Sequence, residues 1–261
     1  MTRALLYDAT LCIGCKQCEE ACAQKNSLPY DSAIAEETRT SEHKFTTVLT
    51  AGDEKFMRKL CMHCEDPSCA SVCPVGALYK TAWGPVLYDA DKCMGCRYCM
   101  VACPFGVPKY EWNAVIPRVR KCIMCPDLTA AGKATSCSDA CPTGATISGD
   151  RGELLAEARK RIRDNPGQYM NHLFGEREVG GTSVFLLSPI PFEKFGFKPD
   201  YDQEAMPLLT HQALSKIPDI TSLGFVLLGG IYWITNRRND VAAVEREEKR
   251  HREPRDEGGA E

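Results

Sequence analysis

Along the first 150 residues, apolar and polar positions alternate only in short stretches. RALLYD (3–8) alternates weakly and predicts a strand. FTTVLTAG (45–52) is rich in β-forming residues and ends in a glycine turn. ALYKTAWGPVLYD (77–89) reads as two short strands around a Trp83-Gly84 turn, and GATIS (144–148) as one more. Polar loops separate these segments, so the pattern is a repeat: strand, loop, short helix, Cys-Pro, strand. Beyond it the period changes. In RGELLAEARKRI (151–162), Leu154, Leu155, Ala158 and Ile162 share a helical face. Asp150 can cap that helix, and Arg159, Lys160, Arg161 and Arg163 lie near its C-terminal end, where the helix dipole favours cations. Packing is the expected role. EVGGTSVFLLS (178–188) predicts a glycine turn into a buried strand. FEKFGFKPDYDQEAMP (192–207) is irregular and aromatic, suited to a partner interface or to a plain loop.

The longest apolar run is IPDITSLGFVLLGGIYWIT, Ile217 to Thr235. As a helix it spans about 28 Å, close to the roughly 30 Å of a hydrocarbon core. Its one charge, Asp219, lies at the end, Tyr232 and Trp233 suit an aromatic belt, and Gly224, Gly229 and Gly230 would let another helix approach. A transmembrane anchor is expected, a buried core helix being the alternative. Arg237, Arg238, Arg246, Lys249, Arg250, Arg252 and Arg255 follow it, whereas Lys216, Lys198 and Lys194 are the nearest bases before it. The positive-inside rule puts the tail in the cytoplasm and the preceding residues in the periplasm, with the reverse orientation as alternative. The tail from Asn236 is charged and expected to be disordered. No signal-peptide pattern precedes the first loop, so export folded on a partner is expected, a processed form being the alternative that Met1 argues against.

Composition changes the picture at cysteine. The chain has 261 residues, enough for one large or two modest domains, and a net charge of −3 that implies no nucleic-acid partner. Its 16 cysteines fall in four groups of four: Cys12, Cys15, Cys18, Cys22; Cys61, Cys64, Cys69, Cys73; Cys93, Cys96, Cys99, Cys103; and Cys122, Cys125, Cys137, Cys141. The first and third read C-x2-C-x2-C-x3-C, the spacing of bacterial two-cluster ferredoxins. The second and fourth lengthen only the interval between second and third cysteines, where a loop grows without moving the others. Tight x2 spacings argue against a disulfide framework, and the strict triplets ending in Cys-Pro argue against zinc knuckles.

Four thiolates per [4Fe–4S] cluster make this a chain for four clusters. Gly14 and Gly95 sit where the backbone must approach a cluster closely. The fourth cysteine of each group is expected to start a helix and to ligate the neighbouring group's cluster. Pro74, Pro104 and Pro142 follow it in groups two to four; Ala23 takes that place in group one. Groups two and three, adjacent in sequence, pair as Cys61, Cys64, Cys69 with Cys103, and Cys93, Cys96, Cys99 with Cys73. Lys16, Arg97 and Lys121 lie near ligands and are read as solvated surface charge; His63, inside a CxxC, is read as packing or hydrogen bonding rather than ligation. No nucleophile motif, phosphate loop or nucleotide fingerprint appears, so no catalytic residue is assigned.

LYDATLCIGC, CMHCEDPSCASVCPVGAL and CMGCRYCMVACPFGVPKY resemble the four-cluster iron–sulfur subunits of membrane-bound respiratory oxidoreductases. Among these the motifs are most similar to the anchored iron–sulfur subunit of uptake [NiFe] hydrogenases, then to the β subunit of formate dehydrogenase N. EVGGTSVFLL and the single C-terminal membrane helix fit both. The resemblance implies an α+β fold of two pseudo-symmetric ferredoxin-like domains plus one C-terminal transmembrane helix. It implies Cys12, Cys15, Cys18 with Cys141, and Cys122, Cys125, Cys137 with Cys22. It also implies a non-catalytic relay from a catalytic subunit (a hydrogenase small/large pair, or a molybdopterin subunit) to an integral membrane subunit that binds quinone or haem. The expected organisation is 1–149 for four clusters, 150–216 a helix and partner-interface extension, 217–235 the membrane helix and 236–261 the tail. A redox sensor or cluster-delivery protein is the alternative of a different class; it should show a spare cysteine or an effector domain.

Overall fold

The computed structural model describes residues 2–52 and 54–252. The chain forms two compact units, one reaching Leu209 and one starting at Thr210. The strands are β1 (Arg3–Asp8), β2 (Thr47–Ala51), β3 (Lys55–Lys59), β4 (Leu78–Lys80), β5 (Val86–Tyr88), β6 (Lys109–Tyr110), β7 (Val119–Arg120), β8 (Thr146–Asp150) and β9 (Val184–Leu187). The helices are α1 (Gln17–Lys25), α2 (Ser32–Glu36), α3 (Ser68–Ser71), α4 (Tyr98–Ala102), α5 (Pro126–Ala130), α6 (Ser136–Asp139), α7 (Arg151–Asp164), α8 (Met206–Leu214) and α9 (Ile217–Arg252).

The first unit is organised around β1. It pairs antiparallel with β8 and parallel with β9. Its alternation divides two cores: Leu5 and Tyr7 join the cluster containing Cys22, Cys61 and Cys122, while Ala4 and Leu6 pack with Leu154 and Ala158 of α7 and with Phe185 and Leu187 of β9. Every residue of β9 is buried, as its apolar run predicts. Asp150 caps α7, its Oδ1 accepting from the amides of Gly152 (2.9 Å) and Glu153 (3.3 Å). β4 and β5 form the expected hairpin, with Gly84 at φ +119°; a Cβ there would stand 2.5 Å from the Arg3 carbonyl oxygen. β2 also has an antiparallel partner, β3, which the sequence pattern did not disclose because KFMRK mixes charges with its apolar positions.

One reading of the extension is corrected. The aromatics of residues 192–207 face inward: Phe192, Phe195 and Phe197 are buried, and Phe192, Phe197 and Tyr201 pack around Phe174 with ring centroids 5.0–5.6 Å away. They are core, not an aromatic docking surface.

The second unit, taken by itself, is helical. α9 does not end at Thr235 but continues to Arg252, so residues 236–252 are helix rather than disordered. No glycine or proline interrupts them, and Glu245–Lys249 and Glu248–Arg252 stand at the supportive i,i+4 spacing. Lys249, Arg250 and Arg252 occupy the last turn, where cations oppose the helix dipole. Arg255 lies outside the described residues. Met206–Arg252 carries a long apolar stretch, none of it buried. It is long and apolar enough to cross a membrane, and its exposure removes the buried-core alternative.

Candidate metal centres

The CxxC loops share a backbone device. The third residue of each has positive φ: Gly14 (70°), His63 (49°), Gly95 (75°) and Met124 (56°). The left-handed step turns amides toward the first sulfur, and Gly14 N and Met124 N each lie 3.4 Å from Cys12 Sγ and Cys122 Sγ. Glycine is required in two of the loops. A Cβ on Gly14 would stand 2.5 Å from the Phe56 ring, and one on Gly95 2.8 Å from the Tyr110 hydroxyl. His63 and Met124 adopt the same conformation with buried side chains.

The third cysteine lies in a short helix, and the fourth lies later in that helix, at its cap or just past it. Cys69, Cys99 and Cys137 lie in α3, α4 and α6; Cys103 is the cap of α4, and Cys73 and Cys141 follow α3 and α6. The expectation that the fourth cysteine starts a helix is therefore reversed, because the following proline stops the chain there. Group one shows the same rule by exception: with Ala23 in place of proline, α1 continues through Cys22 to Lys25.

The sequence reading overlooked a glycine two residues after each of these prolines. C-P-V-G, C-P-F-G and C-P-T-G place Gly76, Gly106 and Gly144 at φ 61°, 62° and 66°. The turn they make sends amides back to the fourth sulfur. Burial alone would raise Cys73 and Cys141. Amides of residues 75–78 outweigh it at Cys73, and the Thr146 amide with Thr143 and Ala145 does so at Cys141, so both thiols lie below their ordinary value. Ala77 N is 3.2 Å from Cys73 Sγ and Thr146 N 3.4 Å from Cys141 Sγ. Group one lacks the turn, and Asn26 Nδ2 stands 3.6 Å from Cys22 Sγ instead.

All sixteen cysteines are free, and the fold regroups them. One cavity is lined by Cys12, Cys15, Cys18 and Cys141; another by Cys22, Cys122, Cys125 and Cys137; a third by Cys73, Cys93, Cys96 and Cys99. The remaining four also gather. Burial first, then Cys61, Cys103 and Cys69, pushes the Cys64 thiol well up. Each set takes three cysteines from one group and the fourth from another. Burial pushes Cys22 and Cys69 up to about 12, and Cys18 and Cys99 up to about 11, with neighbouring thiols adding to it. Four buried thiols cannot all ionise without a compensating cation, so these sets suit a cationic iron core. Among the described residues no three His, Cys, Asp or Glu side chains close on a single metal ion; the thiols instead ring cavities, as a polyatomic cluster needs. Thiols of different sets also act on one another, Cys137 raising Cys18, Cys61 raising Cys122 and Cys99 raising Cys69.

Of the three basic residues near the sites, Lys121 and Lys16 depart from their expected surface role and Arg97 keeps it. Lys121 is buried, donating to the carbonyls of Val86 (2.5 Å) and Cys122 (3.1 Å). Lys16 is half-buried, its Nζ 2.5 Å from Ala35 O. Arg97 is exposed, 5.0 Å over the Trp112 ring. His63 hydrogen-bonds as expected: its Nδ1 accepts from Val86 N at 2.9 Å, and burial, then Lys121 and Lys80, holds its pKa well below the usual histidine range. Arg58, which carried no motif, lines the Cys22 cavity.

Two 4Fe-4S dicluster domain families match the chain, over residues 11–77 and 53–151. A protein of Nitratidesulfovibrio vulgaris is 40% identical over 257 residues, covering 94% of this chain and 70% of that protein. The hydrogenase-2 operon protein HybA of Escherichia coli O157:H7 is 39% identical over 232 residues, 72% of this chain and 70% of HybA. The iron–sulfur subunit of the nitrate-inducible formate dehydrogenase of Escherichia coli K12 is 34% identical over 199 residues, 70% of this chain and 67% of that subunit. The chain belongs to the 4Fe-4S dicluster electron-transfer subunits of respiratory oxidoreductases. In such an iron–sulfur subunit the left-handed loops and Cys-Pro-x-Gly turns have a common purpose. They present backbone amides to cysteine sulfur, which stabilises thiolate and the negative charge of a bound cluster without adding a side-chain base.

Proposed function

We propose that this iron–sulfur subunit is a non-catalytic relay that carries electrons through four [4Fe–4S] clusters, from a catalytic subunit in the periplasm to a quinone-reducing or haem-binding subunit in the cytoplasmic membrane. Its ligand sets are Cys12, Cys15, Cys18 and Cys141; Cys22, Cys122, Cys125 and Cys137; Cys61, Cys64, Cys69 and Cys103; and Cys73, Cys93, Cys96 and Cys99. The observation that carries this reading is the regrouping of sixteen cysteines into four sets, each completed by a thiol from another group. When bound, each cluster supplies a one-electron couple. The protein holds the four in series, keeps water from the inner two and opens the outer two to partners. Cys15 and Cys96, in the outer sets, are exposed, as are Ile13, Met94, Tyr98 and Val101 beside them; all four thiols of the Cys22 set are buried. The same loop and helix in each group, with the Cys-Pro-x-Gly turn in three of the four, favour two pseudo-symmetric halves within an α+β fold. The bases after α9's apolar stretch favour a cytoplasmic tail.

The donor is read as a [NiFe] hydrogenase, on the higher identity to HybA than to the formate dehydrogenase subunit. Mass spectrometry of the detergent-solubilised complex is expected to find a nickel-bearing large subunit with its small partner. A large molybdopterin protein instead would make the donor a formate dehydrogenase or a relative. A chain that fractionates alone in the soluble phase would overturn the relay reading.

A further inference from the structure

Arg58, on β3, is only 1% exposed and is among the largest fully buried side chains of the protein. Its hydrogen bonds go to neutral groups: Nε donates to Thr46 Oγ1 at 2.9 Å and one terminal nitrogen to Thr146 Oγ1 at 3.3 Å. Of the other deeply buried cations, Lys44 has Glu19 at 2.9 Å and Lys121 donates to the carbonyls of Val86 and Cys122; Arg58 belongs to no ion pair among the described residues. An isolated buried guanidinium is costly, so its counter-charge must come from elsewhere.

The surroundings supply it. Arg58 lines the cavity of Cys22, Cys122, Cys125 and Cys137. Its other partner, Thr146, donates its amide to Cys141 Sγ, a thiol of the Cys12 set. The charge therefore sits between two of the four sets. Thr146 and Cys141 both line the Cys12 cavity, so Arg58 borders the Cys22 set directly and reaches the Cys12 set through Thr146.

We propose that Arg58 is the shared counter-cation of these two centres and raises the reduction potential of both. The proposal rests on the ligand sets assigned above. A cluster held by four thiolates is negative in either oxidation state and gains one further negative charge on reduction. A fixed cation in a low-dielectric site therefore favours the reduced form.

The test is an EPR-monitored redox titration of the intact membrane complex, with iron and sulfide counted per chain. Arg58→Gln is expected to shift the reduction equilibrium of two of the four clusters by about tenfold toward the oxidised form, about 59 mV for a one-electron couple. The other two should move far less, and Arg58→Lys, which keeps the charge but not the fork, should restore most of the shift. Four clusters with unchanged potentials, or a uniform shift of all four, would overturn the proposal. If Arg58→Gln loses iron, the loss should be confined to two clusters and be reversed by Arg58→Lys; loss of all four with no rescue also counts against it. Fewer than four clusters in the wild-type chain would instead overturn the ligand sets.

Discussion

Cys22→Ser is expected to abolish the same cluster as Cys125→Ser, and a different one from Cys18→Ser. Cys18 and Cys22 are one turn apart on α1 and belong to the same sequence motif, so a reading by motif alone assigns them one cluster. The fold separates them. Cys22 lines the cavity of Cys122, Cys125 and Cys137, while Cys18 lines that of Cys12, Cys15 and Cys141. Serine oxygen is a poor substitute for thiolate toward iron, so each variant should lose or degrade one cluster in four. Iron per chain gives the number lost, and the EPR spectrum of the reduced complex gives its identity. Cys141→Ser should match Cys18→Ser, since Cys141 completes the first set. On the relay proposed above, each variant should also stop donor-to-quinone electron flow while leaving the donor's own activity with an artificial acceptor intact. Matching spectra for Cys18→Ser and Cys22→Ser would refute the exchange of fourth ligands.

How much of this was legible depends on the kind of signal. The cluster chemistry was open in the sequence because thiolate spacing is a local property: four thiols within at most twenty residues have little else to do in a chain with none to spare. Local elements were legible for the same reason. The alternation of β1, the β4–β5 hairpin, the cap and face of α7 and the buried run of β9 follow from nearest neighbours along the chain. The Cys-Pro-x-Gly turn was also written there, three times, but its meaning lies in where the amides of residues 75–78 and 143–146 point, which requires the folded turn. Arg58 and Lys121 were hidden in a different way. In KFMRK and in RVRKC a base looks like solvated charge, and only the pairing of β3 with β2, and the packing of Val86 and Cys122 around Lys121, take them out of water. The aromatic stretch near residue 195 misled for the converse reason. Irregular backbone resembles a surface loop until Phe174 is seen to gather its rings. The helix beyond Thr235 was missed because charge was weighed without the i,i+4 order of those charges.

Lys44→Met is expected to destabilise the first unit by about 3–5 kcal/mol, a large part of the stability of an ordinary domain. Lys44 and Glu19 are both buried and lie 2.9 Å apart. The ammonium also faces the carbonyls of Ile34 (2.8 Å), Ala35 (3.1 Å) and Glu37 (2.8 Å). Glu19 in turn accepts from Val48 N at 2.6 Å and from the Tyr30 hydroxyl at 2.9 Å. Removing the lysine leaves a buried carboxylate without its counter-charge, which costs more than the pair itself contributes. The double variant Glu19→Gln/Lys44→Met should therefore be less destabilised than Lys44→Met alone. The consequence reaches the metal centres through α1, since Glu19 sits between Cys18 and Cys22, one ligand from each of two sets. On heating the intact complex, bleaching of iron–sulfur absorbance should begin at lower temperature in Lys44→Met. Iron should leave the Cys12 and Cys22 sets before the other two, whose ligands lie on α3, α4 and the loops around them. Simultaneous loss from all four sets would mean that the unit melts as one body, and an unchanged midpoint would mean that the buried pair does not hold α1 in place.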